Sequence, residues 1–237
     1  MKRWYILIAV LTFSSFIIGL ICKSSFKDNG IMGIRTIEDV RALNCNVNQL
    51  FTKEDTELFI SEYSDILLKQ LPDDINVLIV KPTNSLRQYN FTMTQEVEII
   101  EVLSGSAESG EFVELVTAGG VYDQKYNHHN YDNSRPVFYE MYNIMLSDNL
   151  YLAFVKEMNT SSYTDKPLYA MGFPIFWAFN LTDNYSLPID KPENTIHYND
   201  FGNSEFLCDS PDTLEKLLNF KYQVMEQFLG SENETDF

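Results

Sequence analysis

Apolar residues recur at three- and four-residue steps from Thr52 to Leu71. Leu58, Phe59, Tyr63, Ile66, Leu67 and Leu71 share one helical stripe. Thr52 followed by Asp55 has the spacing of a capping box, and Pro72 closes the segment. From Ile75 the period falls to two, which predicts a buried strand through Val80. The stretch "KPTNSLRQYN" that follows is rich in turn formers and predicts a connecting loop. A long strand then runs from Phe91 to Leu103. Phe91, Met93, Val97 and Ile99 share one parity, while Ile100 and Val102 share the other. A phase switch at Ile99–Ile100 predicts a β-bulge, which bends a strand. Glu111 to Thr117 is its expected partner. Leu150 to Met158 and Pro174 to Leu181 read as two more strands, with "LYAMGF" (168–173) as a short one. Thr36 to Leu43 fits two helical turns. The last helix opens at Ser210-Pro211-Asp212 and stops at Gly230, with Leu214, Leu217, Leu218, Met225 and Phe228 on one face.

This order predicts an α+β fold, mainly β. The expected architecture is a small five- or six-stranded antiparallel OB-like barrel, or a curved sheet, with flanking helices. The chain divides into residues 1–27, a stalk at 28–35, a helical flank at 36–72, a β domain at 73–182 and a C-terminal loop and helix at 183–237. A long insertion at 122–149 interrupts the β domain, and the chain ends in the acidic tail "SENETDF".

The first 27 residues change the picture most. Lys2 and Arg3 precede nineteen uncharged residues, Trp4 to Cys22, and Lys23 follows. At about 1.5 Å per residue this run approaches the ~30 Å of a bilayer core, so it predicts a transmembrane signal anchor. A cleaved signal peptide and a lipoprotein are the alternatives. Cys22-Lys23-Ser24 is a poor cleavage site, and Ile21 is too large for a lipoprotein signal. The expected location is the cell membrane, single-pass, with the bulk of the chain extracytoplasmic. The formal charge is −17, and all 34 acidic residues lie after Lys27. Such a surface repels nucleic acid and favours cations or basic partners. An exported domain could join Cys45 to Cys208 in a disulfide, with two buried thiols as the alternative.

The run "NVLIVKPTNSLRQYNFTMTQEVEIIEVLSGS", with Tyr151-Leu152-Ala153-Phe154 further on, resembles a pattern in small uncharacterised exported or membrane-anchored proteins of Gram-positive bacteria. The resemblance spans about residues 36 to 182 and implies no activity. The strand plan is also similar to the netrin-like barrel of metalloprotease inhibitors. Those inhibitors act through an N-terminal cysteine that this chain lacks, so their activity is not carried over.

Chemistry is sparse. Gly105 and Gly110 are spaced like a phosphate-binding loop, but Glu111-Phe112 stand where that loop needs Lys and Ser or Thr. The stretch reads instead as strand, turn and return strand. No cofactor and no metal site is indicated. His128 and His129 with Asp123 and Asp132 are a weak metal cluster, because neighbouring histidines diverge on a regular element. The aromatic insertion is more suggestive: Tyr122, Tyr126, Tyr131, Tyr139 and Tyr142, with His128, His129 and the distant Trp177, form the candidate binding surface. The leading function is a non-enzymatic interaction module for a protein, peptide or glycan at the cell surface. A hydrolase using His128, His129 or His197, or a protease-inhibitor-like barrel, are the alternatives. If Trp4–Cys22 anchors the chain, the full-length protein will stay with membranes through carbonate extraction. A variant starting at Asp28 will be released. Release of both would exclude the anchor.

Overall fold

A computed structural model describes residues 31–89, 92–117, 119–122, 136–158, 165–182 and 196–230. The Ile75–Val80 run becomes the first part of a strand much longer than its alternation suggests. β2 (Asn76–Tyr89) follows the two-residue β1 (Asn46–Val47) and continues through the "KPTNSLRQY" stretch expected to be a loop. The local turn signals are absorbed rather than obeyed. Pro82 lies beyond the stretch where β2 is paired on both sides, and Thr83, Asn84 and Ser85 bulge opposite Glu96.

β3 (Thr92–Ser104) pairs antiparallel with β2 and carries the anticipated irregularity. Ile79 faces Glu101 and Val80 faces Ile99, so Ile100 is the extra residue. Ile99 is fully buried and Ile100 is 39% exposed, which is the phase switch in the sequence. β4 (Phe112–Thr117) is the expected return strand. Gly105 sits at φ +112° in the turn between them, and a Cβ there would lie 2.2 Å from Asn76 Oδ1. That oxygen accepts the N–H groups of Ser106 and Ala107, so the turn is fastened to the start of β2.

Two short strands, β5 (Val121–Tyr122) and β6 (Val137–Phe138), pair with each other, and β6 also pairs with β1. β7 (Tyr151–Glu157), β8 (Leu168–Met171) and β9 (Ala178–Asn180) complete the larger sheet, in the order β2-β3-β4-β8-β7-β9. β2 pairs with β7 as well as with β3. The fold is therefore α+β and mainly β, with a six-stranded sheet and, among the described residues, three α-helices. The wholly antiparallel expectation is corrected. β4 pairs parallel with β8, and β1 parallel with β6, because each pair is joined by a long crossing segment rather than a hairpin. The strand expected over Pro174–Leu181 is confined to β9.

Helix α1 (Ile37–Leu43) starts at Thr36, whose side chain and Asp39 form a reciprocal capping box. Helix α2 (Lys53–Leu68) is capped by Thr52, which accepts from Asp55 N. Leu58 departs from its stripe, being 61% exposed; Phe59, Ile60, Tyr63, Ile66 and Leu67 carry the packing. Helix α3 (Pro211–Leu229) opens at Ser210 with Pro211 in its first turn and ends at Gly230, as the sequence implies.

The core has three parts. Leu67 of α2 and Leu214, Leu217, Phe220 and Val224 of α3 pack on Val77, Ile79, Leu152, Phe154 and Phe179, one face of β2, β7 and β9. The other parity of β2 and β7 (Leu78, Val80, Ala153, Val155) joins Val97, Ile99, Val113, Leu115 and Tyr169, so β2, β3, β4, β7 and β8 all supply one cluster. A third cluster gathers α1, the small sheet and Tyr198 with Phe201. Cys45 lies in this third cluster and Cys208 in the first, both as buried free thiols. The expected Cys45–Cys208 disulfide is not formed, since the two thiols belong to separate cores. Burial pushes each up to about 12, which keeps them protonated and unreactive.

Among the described residues, one ion pair has both side chains buried. Lys221 Nζ of α3 sits 2.8 Å from Glu205 Oε2, with side chains only 1% and 6% exposed. Glu205 Oε1 accepts the N–H of Asn180 at the end of β9. Replacing Lys221 by Met removes a buried countercharge and should cost about 3–5 kcal/mol, read as a lower urea midpoint. A loss under about 1 kcal/mol would mean that the pair contributes little to holding α3.

Candidate functional site

The insertion does not lie wholly outside the core. Its second half, from Pro136, returns as β6 and then as a segment in which Tyr142, Ile144, Met145 and Leu146 are buried. Backbone bonds from Asn143 N to Glu205 O (2.9 Å) and from Leu207 N to Met141 O (2.9 Å) hold this segment against residues 204–207. The Asn143 side chain donates to Ser204 O and Gly202 O and accepts from the Tyr198 hydroxyl. Gln95 Nε2 of β3 donates to Met145 O at 2.6 Å. The segment is thus pinned on both sides.

Between this segment, the ends of β3 and β4, and Trp177 lies a cavity of about 20 Å³, partly open to the surface. That is the room one water-sized group needs. Its walls are almost wholly apolar, with Phe138, Tyr142 and Trp177 as the aromatic residues and Glu140 as the charged one. The wall at Trp177 is built under backbone constraint. The preceding residue, Phe176, is fully buried at φ +61°, and its N–H donates to the Tyr142 hydroxyl at 2.8 Å. A bulky residue held in the left-handed region is a feature that clusters at functional sites.

Glu140 is the unusual group. Desolvation raises its carboxyl from the ordinary 4.5 up to about 7, despite opposing hydrogen bonds from the N–H groups of Met141, Tyr142 and Gly119. The Met141 bond is 3.0 Å to Oε1. Gly119 explains the close approach. A Cβ there would sit 2.4 Å from Tyr139 O and 2.6 Å from Glu140 Cβ, so only glycine fits. The carboxylate therefore bridges a residue just before the insertion and two residues in its second half. Such a group can hold a proton near neutrality or face a cation; among the described residues no Lys, Arg or His forms an ion pair with it.

The expected site residues separate. Tyr122 and Tyr139 form an edge-to-face pair with ring centroids 5.7 Å apart, and Tyr139 is 37% exposed. Tyr122 is raised by its own burial and by the Glu140 charge, and neither tyrosine of the pair lines the cavity. Tyr142 and Trp177 do line the cavity but are otherwise core residues, 5% exposed each. Tyr126, His128, His129 and Tyr131 lie outside the described residues, as does the Trp4–Cys22 segment. His197 is half-buried and its Nδ1 meets the Asn46 amide oxygen at 2.9 Å, away from the cavity. Among the described residues no cluster of metal-ligating side chains occurs, and no helix is long and apolar enough to cross a membrane. Glu140 was missed in the sequence because a lone acidic residue beside tyrosines carries no motif; its neighbours Gly119 and Tyr142 give it meaning only in three dimensions. No protein-family model matches the chain, and no curated protein matches it.

Glu140 makes stability depend on pH with a definite sign. Its folded pKa of about 7 exceeds the unfolded 4.5, so the folded state binds more protons in that window. Its contribution is most favourable below pH 4.5 and is lost as pH rises through 7, by an amount on the order of 3 kcal/mol at most. Urea midpoints from pH 5 to 8 should therefore fall more steeply for wild type than for Glu140→Gln. Parallel slopes would place the carboxyl in water.

Proposed function

We propose that this chain is a non-enzymatic binding module, held at the outer surface of a cell membrane by residues 4–22, with an OB-like barrel as its scaffold. The cycle of pairings β2-β3-β4-β8-β7 and back to β2, with one apolar cluster fed by all five strands, supports the barrel reading. The −17 charge supports basic or neutral ligands over anionic ones. The observation that carries the function is the cavity at the base of the insertion. It is small and aromatic-walled, with Glu140 among its lining residues and the Tyr122–Tyr139 pair adjoining Glu140 in the chain and in charge, a place for a small apolar group of a ligand.

Its chemistry favours binding over turnover. Among the described residues, the lining contains no Ser, Cys or His. The Thr117 hydroxyl faces the carbonyls of Met93 and Gly119, not a general base. The sequence holds two tryptophans, Trp4 and Trp177. Trp4→Phe thus leaves a single reporter in the cavity wall. A panel of short peptides and cell-wall glycans should include a member that changes Trp177 fluorescence saturably. Tyr139→Ala should weaken that response at least about fivefold. A flat response across the panel, or one unchanged by Tyr139→Ala, would overturn the assignment of the ligand surface.

A further inference from the structure

We propose that the outer face of β4 and β8 is an interface between two copies of this chain. The strand registers sort the residues. Glu114 pairs with Leu168 and Val116 with Ala170, so Phe112, Glu114, Val116, Leu168 and Ala170 share one side of the sheet. Val113, Leu115 and Tyr169 turn to the opposite side and enter the cluster fed by five strands. Met158 N donates to Leu168 O at 2.8 Å, which sets Met158 opposite Leu168. Elsewhere α2 and α3 cover the sheet, but among the described residues the buried cluster they share with it takes nothing from β4 or β8. Phe112 is left 44% exposed and Met158 37% exposed, with Val116 and Ala170 half-buried on the same side. Exposed aromatic and thioether side chains gathered on one sheet face mark a contact surface.

Charge selects the occupant. Three ion pairs stud this face and its margin: Arg87 with Glu114, Lys166 with Glu96 and Lys156 with Asp74. Lys166 also lies over the Phe112 ring, 5.7 Å from its centroid. Lys81 stands opposite Glu98, and the Asp165 charge acts on Arg87. The face thus holds four basic residues and five acidic ones, which leaves nine basic and 29 acidic for the rest of the chain after Lys27. A second copy meeting that acid-rich remainder would set acid against acid. On this face both signs alternate. A two-fold axis presents the same mixed patch to itself, so cations and carboxylates can interleave around an apolar centre. A strongly basic partner would instead be drawn to the acid-rich remainder.

The test uses the full chain in detergent, carrying Cys22→Ser. Cys45 and Cys208 are buried, so an introduced cysteine is then the accessible thiol. Phe112→Cys and Met158→Cys should each give a covalent dimer with a short bis-maleimide. Leu58→Cys, at a position 61% exposed on α2, should not. Without added cysteines, Phe112→Glu should weaken self-association at least about tenfold in sedimentation equilibrium. The crosslinking arm keeps the proposal testable if that variant does not fold. A chain that stays monomeric up to about 100 µM would overturn the proposal. So would crosslinking through Leu58→Cys equal to that through Phe112→Cys. A folded Phe112→Glu variant that still dimerises as wild type does would also overturn it, and would assign self-association to another surface.

Discussion

Glu205 is the residue on which the arrangement of layers depends. Its two carboxylate oxygens reach α3 through Lys221 and β9 through Asn180 N–H, and its backbone carbonyl takes the N–H of Asn143. A helix, a sheet edge and the cavity-forming segment therefore meet at one buried side chain. A charge pair in such a place is a poor source of net stability, since desolvation offsets most of its attraction. What its geometry constrains is registry. An apolar pair would let α3 slide over Phe154 and Phe179; an ammonium that must meet a carboxylate fixes the helix at one position. The Tyr142 hydroxyl, bonded to Phe176 N–H, carries that position on to the strained turn before Trp177.

The cavity follows from this placement. Residues 141–145 are clamped between Gln95 on one side and residues 204–207 on the other. Nothing in the clamp leaves space for a large side chain at Gly119, and the resulting contact forces the Glu140 carboxyl away from water. The raised pKa is thus a consequence of burial by packing, not of a neighbouring charge.

Much of the scaffold could be read from residue order. The parity change at Ile99–Ile100 located a bulge to the residue, and Thr52 and Ser210-Pro211 located two helix starts. These are local signals, set by neighbours within four positions. The failures have a different range. Pro82, Asn84 and Ser85 speak for a loop, yet long-range pairing with β3 carries the strand through them. Leu58 fits the helical period, yet it faces solvent at 61% exposure. The parallel pairing of β4 with β8 depends on where two remote segments meet, which no short window contains. Glu140 was illegible for the same reason. The tyrosine-rich character of the insertion was visible, but its division into a half-buried Tyr122 paired with an exposed Tyr139 and a core residue at Tyr142 was not.

The double pairing of β2 has a consequence for the order in which the molecule can be assembled. β2 and β3 can zip together as soon as both have left the ribosome. The other edge of β2 must then wait for Tyr151 to Val155, some seventy residues later in the chain. During that interval an apolar strand edge is open to solvent and to any other nascent strand. Pairings so distant in sequence form slowly. The half of β2 that waits is also the half richest in Val, Ile and Leu, so the stretch that later closes the core is, before closure, the part of the chain most in need of protection.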